Sequence, residues 1–119
     1  MTEKIGIIFK QAPHTTSNGR EGLDMVLALS ALTSTLALFF IDDGVYQLLV
    51  GQQPAQILAR DYPATFKALP FYEVEEIYLC AHSLQQRGLQ NSPLILDGQQ
   101  LSPEQLQQHL SNCSKLFTF

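Results

Sequence analysis

The sequence predicts an α/β fold: a three-layer sandwich in which a five-stranded, mostly parallel sheet is flanked by helices. Two observations carry that prediction. Residues 36–41 form six apolar positions in a row and run straight into Asp42, Asp43 and Gly44. An apolar run without polar alternation is the mark of a strand buried on both faces of a parallel sheet, so this strand is placed at the sheet centre. The second observation is order, because strand-like and helix-like stretches alternate along the chain, and parallel strands need such crossovers.

Residues 4–9 (Lys-Ile-Gly-Ile-Ile-Phe) are β-rich and apolar enough for a first buried strand. Residues 11–19 hold a proline, three hydroxyls and a glycine, which make a polar loop on the carboxyl edge of the sheet. The first helix is predicted over 20–33, with Glu21 and Asp24 in the opening turn, where the helix dipole favours anions. Beyond Asp24 the residues Met25, Val26, Leu27, Ala28, Leu29, Ala31 and Leu32 are apolar around most of the circumference. One face therefore packs on the sheet, and the other meets a subunit or is covered by loops.

After the central strand, residues 45–50 read as a short helix ended by Gly51, and 57–69 as a helix interrupted at Pro63 and stopped before Pro70. Residues 74–79 form the third strand, with Cys80 at its carboxyl end. Residues 81–87 then make a brief helix closed by Gly88 as a left-handed cap. Residues 94–96 (Leu-Ile-Leu) are the expected fourth strand. Ser102, Pro103 and Gln105 spell a helix start with an N-cap, a first-turn proline and a capping box, for a helix that runs to about Ser111. Residues 115–119 alternate as a fifth, edge strand.

The chain's 119 residues suit one domain over 1–119, with no internal repeat or linker. Charged residues make up only 15% of it, against roughly 25% in an ordinary soluble domain, which suggests that part of the surface is covered by another subunit. The longest apolar run is far short of the ~20 residues that span a bilayer, and the first ten residues lack the features of a secretory leader. A cytoplasmic protein is expected. The formal charge is −4 and the seven Lys and Arg residues are scattered singly. Direct binding to nucleic acid needs basic residues clustered over several phosphates, so none is expected.

Among residues able to do chemistry, Cys80 stands out because it lies where a strand gives way to a helix. Amides at the start of a helix favour a thiolate, and His82 follows two residues later. The plain alternative is that Cys80 is a small buried hydrophobe. Cys113 reads as structural, and a disulfide with Cys80 is not expected in a reducing compartment. Asp42, Asp43 and Gly44 mark the carboxyl edge where ligands gather in open α/β sheets, although a tight turn explains the same three residues. As neighbours leaving a strand, the two aspartates diverge and do not make a shared-proton pair. No metal is expected, since His14, His82 and His109 lie far apart, and no nucleophile elbow is present. Thr15, Thr16, Ser17 and Asn18 offer a small-molecule alternative, a phosphate or flavin bound at a helix start. Neither glycine-rich phosphate fingerprint accompanies them.

Taken together, Ala12-Pro13-His14, Gly19-Arg20-Glu21-Gly22-Leu23-Asp24, the run from Phe39 to Leu49, Leu58-Ala59-Arg60-Asp61-Tyr62 and the run from Ser83 to Leu89 resemble the DsrE/DsrF-like family, and within it the DsrF type. The resemblance spans nearly the whole chain, and the tail after Asn91 matches mainly in pattern. It implies a DsrE-like, flavodoxin-like topology without a cofactor, and a place in the TusBCD sulfur-relay complex, a heterohexamer built as a dimer of heterotrimers. The implied partners are TusB-like and TusD-like subunits, with the complex meeting TusA-like and TusE-like proteins. The implied process passes persulfide sulfur from the TusA type to the TusE type for 2-thiolation of the wobble uridine of tRNA. The family's working cysteine lies at a strand end before a helix and an Arg-Gly pair, in the TusD-type subunit. Cys80, followed by Arg87-Gly88, occupies the matching position here, but the match is one of position only; the type that this chain resembles is not generally credited with the essential thiol, so the resemblance implies a structural and interaction subunit, with persulfide carriage by Cys80 as the alternative.

Overall fold

A computed structural model describes residues 4–11, 18–30, 35–48, 76–94 and 98–119. Five strands form one sheet in the order β4-β3-β2-β1-β5, where β1 is Ile5–Phe9, β2 Leu36–Phe40, β3 Glu76–Cys80, β4 Gln99–Leu101 and β5 Lys115–Thr118. All four pairings are parallel, and β2 lies in the middle, as its unbroken apolar run requires. Every residue of β1 and β2 is buried.

The two faces of the sheet differ in what covers them. Ile5, Ile7, Phe9, Leu36, Leu38, Phe40, Ile77 and Leu79 face the larger core, closed by Leu23 and Val26 of helix α1 (Asn18–Ser30), by Val45 and Leu48 of a 3₁₀ helix η1 (Asp42–Leu48) and by Leu84 of helix α2 (Ala81–Gln86). Phe9 and Phe40 stack here, with ring centroids 5.0 Å apart. The opposite face, with Ile8, Ala37, Phe39, Tyr78 and Cys80, is closed by Leu106 of helix α3 (Pro103–Ser111), and Leu110 packs beside it. Helices thus cover both faces and the three layers are present.

α1 begins at Asn18, two residues before the sequence expectation. Its large apolar residues are taken up by the chain's own core: Leu23 and Val26 are buried, and Met25, Leu27 and Leu29 pack partly against the same cluster. Over residues 21–29, Glu21, Asp24 and Ala28 are the exposed positions. Among the described residues Leu116 is the one large hydrophobic that is exposed, at 47%.

Two further expectations shift. The short helix begins at Asp42, not at Val45, because a 3₁₀ helix starts one residue after β2 and absorbs Asp42, Asp43 and Gly44. Asp42 takes a left-handed backbone, φ 50°, a conformation that aspartate tolerates better than most residues. Gly44 is buried against β1, where a Cβ would fall on the carbonyl oxygen of Phe9, so only glycine fits. The fourth strand is Gln99–Leu101 and not 94–96; Leu94 makes only an isolated bridge, and 95–97 lie outside the described residues. β4 is an edge strand with Gln99 and Gln100 exposed, so nothing about its position demands apolar residues.

The expected helix over 57–69 and most of the loop over 11–19 also lie outside the described residues. Both ends of α2 and the start of α3 follow the local chemistry. Gly88, at φ 68°, closes α2 with Gly88 N–H donating to the Gln85 carbonyl and Leu89 N–H to that of Leu84, the paired bonds of a Schellman motif. Ser102 caps α3 in a full capping box with Gln105, and Pro103 opens the first turn.

Candidate functional site

The carboxyl ends of β2 and β3 lie side by side, and the segments that leave them build a cleft of about 290 Å³. Ile41, Asp42, Cys80, His82 and Ser83 line it from the sheet side, and Leu106 and Leu110 of α3 from the other. The expected edge is therefore where the molecule is concave. Cys80 and His82, paired in the sequence reading, share this cleft, but Cys80 is buried at 6% exposure whereas His82 is exposed.

Cys80 is the last residue of β3 and the N-cap of α2, with an extended backbone (φ −74°, ψ 113°). Its Sγ accepts the N–H of Ser83 at 3.4 Å, the bond that serine or aspartate oxygens make at most helix starts. The thiol also belongs to the apolar cluster of Ile8, Phe39, Tyr78 and Leu106. It is thus at once a helix cap, a core residue and part of the cleft wall.

Ser83 is the residue that reasoning from sequence missed. It is 4% exposed, and three of its groups are engaged by three different residues. Its N–H donates to Cys80, its Oγ accepts the Asp42 N–H at 3.0 Å, and its carbonyl accepts from Arg87 Nη1 at 3.1 Å. Arg87 in turn grips Asp43, with Nε 3.0 Å and Nη2 2.9 Å from Oδ1. The two neighbours engage different partners: the Asp42 backbone N–H meets Ser83, and the Asp43 carboxylate meets Arg87. The available signal was position, since Ser83 is three residues beyond a strand-end cap, where the backbone N–H seeks the capping side chain.

A second polar group lies on the α3 side of the sheet, toward the amino ends of the strands. Lys4 Nζ pairs with Glu76 Oε1 at 2.8 Å, and Tyr78 donates its hydroxyl to the same oxygen at 3.0 Å. Burial, then the hydrogen bond to Glu76 and its negative charge, push the Tyr78 phenol up to about 12. The ring of His109 lies against Tyr78, with centroids 4.3 Å apart. Cys113 is half-buried with its Sγ 3.6 Å from the His109 carbonyl, and burial raises its thiol above the ordinary value. Cys80 and Cys113 are both free thiols.

Thr15, Thr16 and Ser17 lie outside the described residues, and Asn18 stands at the first position of α1. His14 is likewise outside them. Among the described residues no three of His, Cys, Asp or Glu stand close enough to hold a metal ion, and no helix is long and apolar enough to cross a membrane.

Comparisons with known proteins agree with this architecture. Protein TusC of Escherichia coli O127:H6 (strain E2348/69 / EPEC) is 49% identical over 118 residues, covering 98% of this chain and 99% of that protein. The crystal structure of the ychN protein from E. coli superposes with a TM-score of 0.84 at 27% identity, covering 98% of this chain and 99% of that one. The model of the DsrE/DsrF-like family matches residues 3–119, and the chain belongs to that family.

Proposed function

We propose that this chain is a structural and interaction subunit of a sulfur-relay complex, one that passes persulfide sulfur for 2-thiolation of the wobble uridine of tRNA. The observation that carries the reading is the 49% identity to Protein TusC over nearly the full length of both chains. Its partners are TusB-like and TusD-like subunits, in a heterohexamer that meets TusA-like and TusE-like proteins in the cytoplasm. The chemistry of the chain supports a supporting role. Its thiol at the strand end serves as a helix cap inside an apolar cluster, and its seven basic residues are scattered singly along the sequence, without the run of charge that holding tRNA favours.

Native mass spectrometry of the tagged protein, purified gently from its own host, tests this. The expected result is a six-chain particle with two other small subunits in equal numbers. A lone monomer or a homo-oligomer would count against the reading.

A second reading, persulfide carriage by Cys80, draws support from one feature: the residue forms part of the wall of a cleft that also holds His82. The two readings differ in what loss of the thiol does.

A further inference from the structure

Of the bonds at Ser83, the one from Asp42 N–H joins the segments leaving β2 and β3, the Asp43–Arg87 pair joins the same segments further out, and the bonds are unequal in strength. The inner ones, Asp42 N–H to Ser83 Oγ and Ser83 N–H to Cys80 Sγ, are part-buried or buried. The outer one is the ion pair of Arg87 with Asp43, whose side chains are 21% and 59% exposed. α2 has only six residues and places a single large apolar side chain, Leu84, in the core. A helix so short depends on these few contacts with η1, so the loss of one of them is felt.

We propose that the Asp43–Arg87 pair is a latch on the cleft. Closed, it draws the Ser83 carbonyl and the last turn of α2 toward η1, and keeps Cys80 in its buried, capped position. Open, it lets α2 move away from Asp42, which widens the cleft between the two strand ends and exposes more of the Cys80 thiol to it. A pair this exposed is weak and is screened by salt, so the open form is within reach of a partner or of salt. The inference rests on the geometry of Ser83, Asp43 and Arg87 and holds whether or not Cys80 carries sulfur; Cys80 here is the reporter.

The test is the rate at which iodoacetamide, a neutral reagent, alkylates each cysteine in the native protein. Peptide mass spectrometry reads Cys80 against Cys113, which lies at the far end of α3. Asp43→Ala and Arg87→Ala should each raise the Cys80 rate about two- to fivefold relative to Cys113, the factor that a pair of this strength allows. The charge-swapped double variant, Asp43→Arg with Arg87→Asp, should return the ratio toward that of the unaltered protein. Screening in 1 M potassium chloride should raise the ratio in the unaltered chain, a measurement that needs no variant to fold. An unchanged ratio under salt and in the single variants would overturn the latch, as would a parallel rise at both cysteines, which means general loosening.

Discussion

Tyr78 shows how one residue ties the stability of the sheet to pH. Its hydroxyl donates to Glu76, and burial beside that carboxylate makes the phenolate costly, so its pKa rises from 10.0 to about 12 in the folded protein. A raised pKa means that the native state keeps its proton where the unfolded chain has lost it. The stabilisation is full below pH 10 and is lost as pH climbs through 12. Cys113 shifts in the same direction, so the effect of Tyr78 is isolated by comparison. Urea unfolding at pH 8 and pH 11 should show the unaltered chain losing about 1 kcal/mol more over that interval than Tyr78→Phe. Equal losses in both would mean that the hydroxyl is as well solvated in the folded chain as in the unfolded one. None of this was visible in the sequence, because Lys4 and Glu76 lie 72 positions apart and meet only through the register of three strands.

The elements were legible to the degree that their signals are local. The capping box of Ser102 with Gln105 and the left-handed Gly88 involve residues a few positions apart, and both stand where the sequence puts them. The buried β1 and β2 declared themselves by runs of apolar residues, since a strand covered on both faces has no room for alternation. β4 did not, because a strand paired on one side and exposed on both faces is chosen by register and not by hydrophobicity. The more apolar 94–96 drew the prediction away from it. Asp42 to Gly44 read as a turn or a functional loop, and the structure makes them the start of a helix whose fit depends on the Phe9 carbonyl, a contact between elements. Local signals also give the element its testable energy. Ser102→Ala removes an acceptor for the Gln105 N–H and should cost about 1 kcal/mol in urea unfolding, whereas Ser102→Asp should restore most of it. A cost shared equally by both variants would place the value of Ser102 outside capping.

At the scale of the molecule, the position of Cys80 was predicted but its surroundings were not. The sequence places a thiol at a strand end before a helix; only the fold adds that Ser83 N–H, Phe39, Tyr78 and Leu106 enclose it and that Arg87 and Asp43 bind the segments around it. α1 was expected to present apolar residues on two sides, yet Leu27 and Leu29 lean on the chain's own core. A charge placed at either would damage the fold together with any assembly, so Ala28, which is exposed, is the cleaner position at which to probe a partner. The decisive comparison concerns the thiol itself. Cys80→Ser keeps a small side chain with an oxygen able to accept the Ser83 N–H, so the cap survives, and burying a hydroxyl in the apolar cluster should cost the fold about 1–3 kcal/mol. In a host lacking its own copy of the subunit, a structural role predicts that this variant supports tRNA 2-thiolation at close to the unaltered level. A carrier role predicts that thiolation falls to the level of the deletion while the complex still assembles, because sulfur cannot be held as a persulfide on an oxygen. Measuring thiolated tRNA and the intact complex in the same cells separates these outcomes: loss of thiolation with assembly preserved would transfer the chemistry to Cys80 and make Ser83 and the Asp43–Arg87 pair the surroundings of a working thiol.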